Sequence, residues 1–435
     1  MFSRKISLLP CIFFAILLSA QPRPNVIYIM ADDLGYADLS CYGRKDYQTP
    51  QLDRLASQGI KFMNAYAAAP VCTPTRVAFF TGRYPARLQV GLYEPLADGR
   101  KDSLLGLTAE TPSIAGLLRE AGYETYLVGK WHLGYLPQFS PMANGFDYFF
   151  GFHAGATDYI SHTNQNGKPD LYENDQPVIE AGYITDLFME KAMEIINKPH
   201  QKPFFLALTF NAPHWPWQGP SDKAYGNTPW RSGGSPAIYA AMMKSLDDAV
   251  GKIVKAIDDR KLSANTVIIF TSDNGGERFS DNGIYKDGKM SLREGGIREP
   301  AFVRWPGKIK ENSLTNQVAT TMDWTATILS LGKATVDPKF PLDGMDMMPV
   351  MTGKKKEADR TLYWRIFQRT RHKAMRDGKW KYFQDEKGNE YLFDLSADPA
   401  EDNDLKNQQP ELFNKLRNMY SEWEKTVLKP IPISE

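Results

Sequence analysis

Asp32 and Asp33 stand side by side immediately after an apolar run. Two adjacent carboxylates repel each other unless a cation is shared. Asp273-Asn274, followed by Gly275-Gly276, stands in the same relation to a second apolar run. Three carboxylates and an amide oxygen are hard donors, suited to Ca²⁺ or Mg²⁺ and ill-suited to zinc. Taken singly, the first pair reads as a helix cap and the second as an ordinary turn; two matching positions favour a metal site. The most specific signal is Cys72-Thr73-Pro74-Thr75-Arg76. Pro74 sits where a helix could begin, so Cys72 is expected just before a helix N-terminus, where backbone N–H groups and the macrodipole favour an anion. Arg76 adds a fixed charge about one turn later. A buried structural cysteine and a plain thiolate nucleophile are the competing readings. Neither accounts for Thr81-Gly82-Arg83 at its spacing downstream.

These groups need elements to hold them. Residues 26–30, 123–128, 204–209 and 267–271 are apolar, β-rich runs that read as buried strands. Thr49-Pro50 and Thr111-Pro112 each offer an N-cap and a first-turn proline, for helices through Ser57 and over residues 113–121. Residues 238–260 form a long amphipathic helix with Met242, Leu246, Val250, Ile253 and Ile257 on one face. Strands alternating with helices imply an α/β fold, a mostly parallel central sheet sandwiched by helices. The pattern then changes. Residues 362–367, 372–376, 379–384 and 390–395 read as short strands linked by turns such as Asp377-Gly378 and Lys387-Gly388, closed by a helix over 411–427. A smaller antiparallel α+β subdomain is therefore expected over residues 341–435, after a catalytic unit over 21–340. In an open α/β sheet the binding crevice lies beyond the strand ends, which is where the polar clusters fall.

The chain has 435 residues, 42% of them hydrophobic, ample for a large core. Lys plus Arg (52) nearly cancels Asp plus Glu (51), so no global field attracts nucleic acid or anionic membrane. Any anionic substrate must be gripped locally. Arg4 and Lys5, the apolar stretch 6–18 and Leu18-Ser19-Ala20 read as a secretory signal cleaved near Ala20. The stretch is shorter than the roughly 20 residues a spanning helix needs, and Pro10 interrupts it. An exported, periplasmic or secreted protein without stable membrane insertion is expected. Its two remaining cysteines, Cys41 and Cys72, are too few for a disulfide scaffold.

The Cys-x-Pro-x-Arg element with its downstream Thr-Gly-Arg resembles the signature of the type I sulfatases of the alkaline-phosphatase superfamily, and the similarity runs from Pro24 to at least Pro306. Gly129-Lys130-Trp131-His132-Leu133-Gly134, Ala212-Pro213-His214, and Lys289 with the Glu294-Gly295-Gly296-Ile297-Arg298-Glu299-Pro300 block resemble further family segments. The resemblance implies that a maturase oxidises Cys72 to Cα-formylglycine, which would exclude a Cys41–Cys72 disulfide. It implies a Ca²⁺ or Mg²⁺ ion held by Asp32, Asp33, Asp273, Asn274 and residue 72. Arg76 would help ionise the hydrated formylglycine, Lys130 and Lys289 would bind the sulfate, His214 would protonate the leaving alcohol and His132 would deprotonate the second hydroxyl. A further polar side chain is expected within residues 151–159, with His153, Thr157 and Asp158 all open. Trp215, Trp217 and Arg231 suggest a sulfated carbohydrate, since indoles stack on sugar rings and arginine pairs a second anion; packing of a long loop is the equal alternative for the tryptophans. A phosphonate monoester or phosphodiester hydrolase, a phosphatase of the wider superfamily and a non-catalytic glycan-binding relative are the other readings.

Overall fold

The computed structural model describes residues 23–97, 104–226 and 229–431. The expected signal segment lies outside the described residues. Eleven strands form one sheet. In chain order they are β1 (Asn25–Ala31), β2 (Ile60–Tyr66), β3 (Glu124–Lys130), β4 (Tyr148–Phe152), β5 (Tyr172–Glu173), β6 (Gln176–Pro177), β7 (Phe204–Thr209), β8 (Thr266–Ser272), β9 (Arg298–Arg304), β10 (Ser313–Thr315) and β11 (Ala319–Thr320). Their order is β10-β2-β9-β8-β1-β7-β3-β4-β5-β6, with β11 also on β2. The central ladders β8-β1-β7-β3-β4 are parallel.

Every residue of β1, β7 and β8 is buried, as continuous apolar runs demand when both faces of a sheet are covered. Alternate β1 residues serve opposite layers. Ile27 and Ile29 pack with α1 (Pro50–Ser57), α4 (Ile184–Asn197) and α5 (Pro236–Asp259). Val26, Tyr28 and Met30 pack with α2 (Cys72–Thr81), α3 (Ile114–Glu120) and α7 (Thr321–Gly332). Two short helices, α6 (Glu294–Ile297) and α8 (Met348–Met351), complete this part.

Register sets the strand ends level. Ala31 pairs with Ser272, Met30 with Thr209, and Thr209 with Gly129, so the residues after β1, β8 and β7 and the end of β3 emerge together.

A second, antiparallel meander contains β12 (Thr361–Arg365), β13 (Lys373–Asp377), β14 (Trp380–Gln384) and β15 (Glu390–Asp394). Helix α9 (Pro410–Glu424) buries Phe413, Leu416, Tyr420 and Trp423 against it.

Three local expectations are corrected. Helix α2 starts at Cys72 itself, with Val71 as N-cap, because the turn opens two residues before Pro74. Ser113, not Thr111, caps α3 by accepting from the Gly116 N–H at 3.0 Å. Thr49 occupies the cap position of α1 without a side-chain cap bond; its hydroxyl donates to Asp53 at 3.0 Å instead. Strand β9 is masked in sequence by its Arg-Glu-Pro start. Pro300 lacks an N–H, and β2 shifts register between Phe62 and Ala65, opposite it, which lets the ladder absorb the proline. Among the described residues no helix is long and apolar enough to cross a membrane.

Candidate active site

The level strand ends deliver Asp32, Asp33, Asp273, Asn274 and Lys130 to one place, all at most 3% exposed. Asp33 adopts φ 63°, a left-handed conformation that costs a non-glycine residue energy and is kept only where surroundings enforce it. Its backbone N–H donates to Asp273 Oδ1 at 3.1 Å, locking the two strand ends together. Lys130 Nζ donates to Asp32 Oδ2 at 2.6 Å, and Lys289 Nζ donates to Asp33 Oδ2 at 2.7 Å. Fully buried Arg76 donates to Asp273 Oδ2 and to the Lys130 carbonyl, each at 3.0 Å. Three carboxylates thus meet three cations.

Cys72 opens α2, and its Sγ lies 3.7 Å from Asp32 Oδ1. Ligating atoms of Asp32, Asp33, Cys72 and His214 all lie within 4.8 Å of one another. Asp273, outside that group of four, accepts from the Asp33 amide at one oxygen and from Arg76 at the other. Asn274 donates to Asp33 Oδ1 at 2.8 Å, while its own Oδ1 is buried without a partner. A buried amide oxygen with nothing to accept from is costly, and a hard cation beside Asp33 would satisfy it. The donor set fits Ca²⁺ or Mg²⁺. Sulfur is the exception, being a poor ligand for either.

Burial, then Asp273, pushes the Asp32 carboxyl up against the pull of Lys130 and Arg76. Burial acts the same way on Asp273, but Arg76 and Lys130 outweigh it and hold that group low. The Cys72 thiol is pushed up to about 12, chiefly by burial, with Lys130 and Lys289 pulling the other way. That argues against a ready thiolate. Cys41 and Cys72 are both free.

Burial first, then neighbouring lysines, push the two histidines well below their ordinary value, which favours the neutral rings. A backbone carbonyl only accepts, so contacts assign the tautomers. His132 Nε2–H donates to the Leu96 carbonyl at 3.0 Å, leaving Nδ1 as a buried lone pair without a partner. His214 Nδ1–H donates to the Trp215 carbonyl at 2.5 Å, leaving Nε2 3.5 Å from Asp33 Oδ2. His132 is also held at φ 58°.

Above the cluster opens a cavity of about 550 Å³, reached by Cys72, His132, His214 and Lys289. That size suits a small organic ligand. Trp215 lines it, with the Arg231 guanidinium 4.5 Å from the indole centroid. Other expected contacts fall elsewhere. Trp217 is buried edge-on against Phe279 and does not line the cavity. His153 is wedged between Phe149 and Tyr172, lowered to about 4 mainly by burial, and also off the cavity wall. Thr157 and Asp158 are buried, and Asp158 accepts from the Ile160 and Ser161 amides, holding its own loop. Ala154, Gly155 and Ala156 line the cavity instead. A Cβ on Gly155 would lie 2.7 Å from His132 Cε1, so glycine is what admits the imidazole. Thr81-Gly82-Arg83 ends α2 rather than entering the site: Gly82 is a left-handed C-cap at φ 68°, and Arg83 donates to the Phe340 carbonyl at 2.9 Å. Glu277 and Arg369 line the cavity unforeseen. Glu277 lies three residues past Asn274 and was within reach of the same strand-end argument; Arg369, on a distant hairpin, gave no signal.

Residues 24–334 match a family described as Sulfatase, and residues 282–426 match one described as N-sulphoglucosamine sulphohydrolase, C-terminal. The chain is 34% identical to the N-acetylgalactosamine-6-sulfatase of Canis lupus familiaris over 77% of its own length and 67% of that relative, so it spans about two thirds of it. It is 33% identical to arylsulfatase A of Homo sapiens over 88% of this chain and 79% of that one. The solved structure of Ps i-CgsB in complex with k-i-k-neocarrahexaose superposes with a TM-score of 0.84 at 31% identity, covering 95% of both chains.

Proposed function

The chain belongs to the sulfatase family, and from that premise we propose that it removes sulfate from a sulfated carbohydrate after Cys72 is oxidised to Cα-formylglycine by a maturase. The observation that carries the reading is the convergence of residue 72, three carboxylates, two lysines and two histidines at the floor of one cavity. The misfit of sulfur among hard donors supports oxidation: residue 72 joins such a set once it presents oxygen.

Asp32, Asp33, Asp273, Asn274 and residue 72 would hold Ca²⁺, with Mg²⁺ the other hard cation these oxygens admit. When bound, the cation would supply Lewis-acid polarisation of a sulfate oxygen, and the hydrated aldehyde would supply one hydroxyl to attack sulfur and a second whose deprotonation breaks the C–O bond to the sulfated oxygen, releasing sulfate and re-forming the aldehyde. Arg76 fixes Asp273 and the end of β3 and lowers the cost of negative charge at residue 72. Lys130 and Lys289 bind the sulfate oxygens and absorb charge that develops on them. His214, whose Nε2 lies in the same cluster as residue 72, takes up the proton of the attacking hydroxyl at that nitrogen and passes it, assisted by Lys289, to the departing alcohol. His132 takes the proton of the second hydroxyl at its unpartnered Nδ1.

Trp215 and Arg231 form the wall against which the sugar would lie; a relative named N-acetylgalactosamine-6-sulfatase and a solved structure in complex with k-i-k-neocarrahexaose support a glycan. Residues 1–20 serve as a cleaved export signal, 21–340 as the catalytic unit and 341–435 as the C-terminal subdomain. A Cys72→Ser protein, shown by mass spectrometry to lack formylglycine, should lose at least about 10³-fold in aryl sulfate turnover. Turnover at the wild-type rate would overturn the mechanism, and higher specificity for phosphate diesters than for sulfate monoesters would reassign the substrate.

A further inference from the structure

The hairpin loop 366–372 between β12 and β13 is pinned against the cavity from two sides. The Phe367 and Gln368 amides each donate to Glu94 Oε2 at 2.7 Å, and Gln368 Oε1 accepts from the Glu94 amide at 2.9 Å. Thr370 Oγ1 donates to the Met290 carbonyl at 2.7 Å. Pro95, Leu96, Lys289 and Met290, next to these anchors, all line the cavity. Arg369 sits between the anchored residues and contributes to the same wall.

The two arginines at the rim differ in their surroundings. Arg231 stacks on Trp215 and lies 4.0 Å from Glu277 Oε1, so an anion approaching it also meets a carboxylate. Among the described residues Arg369 forms no ion pair, and its side chain is exposed. A pinned backbone carrying a guanidinium that no described carboxylate compensates is a preorganised receptor for a planar or tetrahedral oxyanion, which the fork can hold through two hydrogen bonds.

We propose that Arg369 forms a subsite for a second anionic group, a sulfate ester or a carboxylate, on the alcohol portion of the substrate, so that the enzyme favours multiply charged saccharides over monosulfated ones. The subsite rests on the sulfatase reading of the cavity below it. Glu277 directs that second anion away from Arg231 and towards Arg369 by like-charge repulsion. The C-terminal sheet is thereby a source of specificity as well as of packing.

The test compares kcat/KM for three oligosaccharides with the same scissile sulfate: one monosulfated, one bearing a second sulfate, and one bearing a uronate carboxylate instead. Wild-type protein should prefer at least one dianionic substrate by roughly 10- to 100-fold, the range expected for a charged hydrogen-bonded pair. Arg369→Gln should compress that ratio to about 2-fold or less, and Arg369→Lys should retain part of it through its point charge. Whichever dianionic substrate loses its advantage identifies the group bound. No preference in the wild type, a preference surviving in Arg369→Gln, or an equal loss on all three substrates overturns the subsite. A formylglycine-bearing wild-type protein without activity on any of them or on 4-nitrophenyl sulfate overturns the sulfatase reading itself, and the subsite with it.

Discussion

Gly155 shows how finely the site is set at the scale of one residue. Its missing side chain leaves room for the imidazole of His132, the proposed base, whose Nδ1 must stay open to residue 72. An added Cβ would lie 2.7 Å from Cε1 and 2.8 Å from Nε2 of that ring. The ring cannot simply retreat, because Nε2–H is fixed to the Leu96 carbonyl. Gly155→Ala should therefore lower kcat on an aryl sulfate by about 10- to 100-fold, the effect of misplacing a catalytic group by a fraction of an ångström to an ångström. The backbone there is not left-handed, so the melting temperature should stay within a few degrees of wild type. Steady-state kinetics beside a thermal melt would check both. The histidines themselves were visible as residues after strands; their tautomers were not, since these follow from which carbonyl each ring meets.

At the scale of elements, the segment presenting Lys289 depends on the second sheet. Lys381 of β14, fully buried, reaches Glu294 Oε1 at 2.9 Å and Glu401 Oε1 at 3.0 Å. Glu401 Oε2 accepts from the Glu294 amide at 2.7 Å, and its carbonyl accepts from Lys286 and Arg293. The residues on both flanks of Lys289 are thus tied to residue 401. Removing the central cation leaves two buried carboxylates with less compensation. Lys381→Met should destabilise the protein by about 3–5 kcal/mol in urea unfolding, with KM rising as Lys289 loses its fixed position. The glycine-rich block beginning at Glu294 was recognisable as a motif. That it anchors one sheet to the other was not, because Lys381 and Glu401 lie in a part of the chain whose sequence shows only short strands and turns.

Over the whole molecule, the loop joining β12 to β13 is tied back to the first part of the chain at Glu94, which receives the amides of Phe367 and Gln368. Burial pushes its carboxyl from 4.5 up to about 7, against the pull of those amides and of Arg365. A raised value means the folded protein holds this proton more tightly than the unfolded chain. The associated stability is complete below about pH 4.5 and lost as pH rises through about 7. Glu94→Gln removes that titration. Wild type should lose stability relative to the variant between about pH 5 and pH 8, by on the order of 2–3 kcal/mol. Thermal melts of both proteins across that range would reveal a flat difference if Glu94 does not titrate there.

By itself the sequence determined the chemistry available and the local frame: buried strands whose ends carry carboxylates, a cysteine at a helix start, and a change to antiparallel hairpins near the C-terminus. These are legible because apolar periodicity, turn residues and strand-end polarity are properties of neighbours along the chain. Tertiary structure decided which candidates share a cavity. It admitted Trp215, Glu277 and Arg369 while packing His153 and Trp217 elsewhere. It also set which lone pairs remain open, on Asn274 Oδ1 and His132 Nδ1. Burial and pairing of a loop side chain depend on segments hundreds of residues away, and no local pattern encodes that distance.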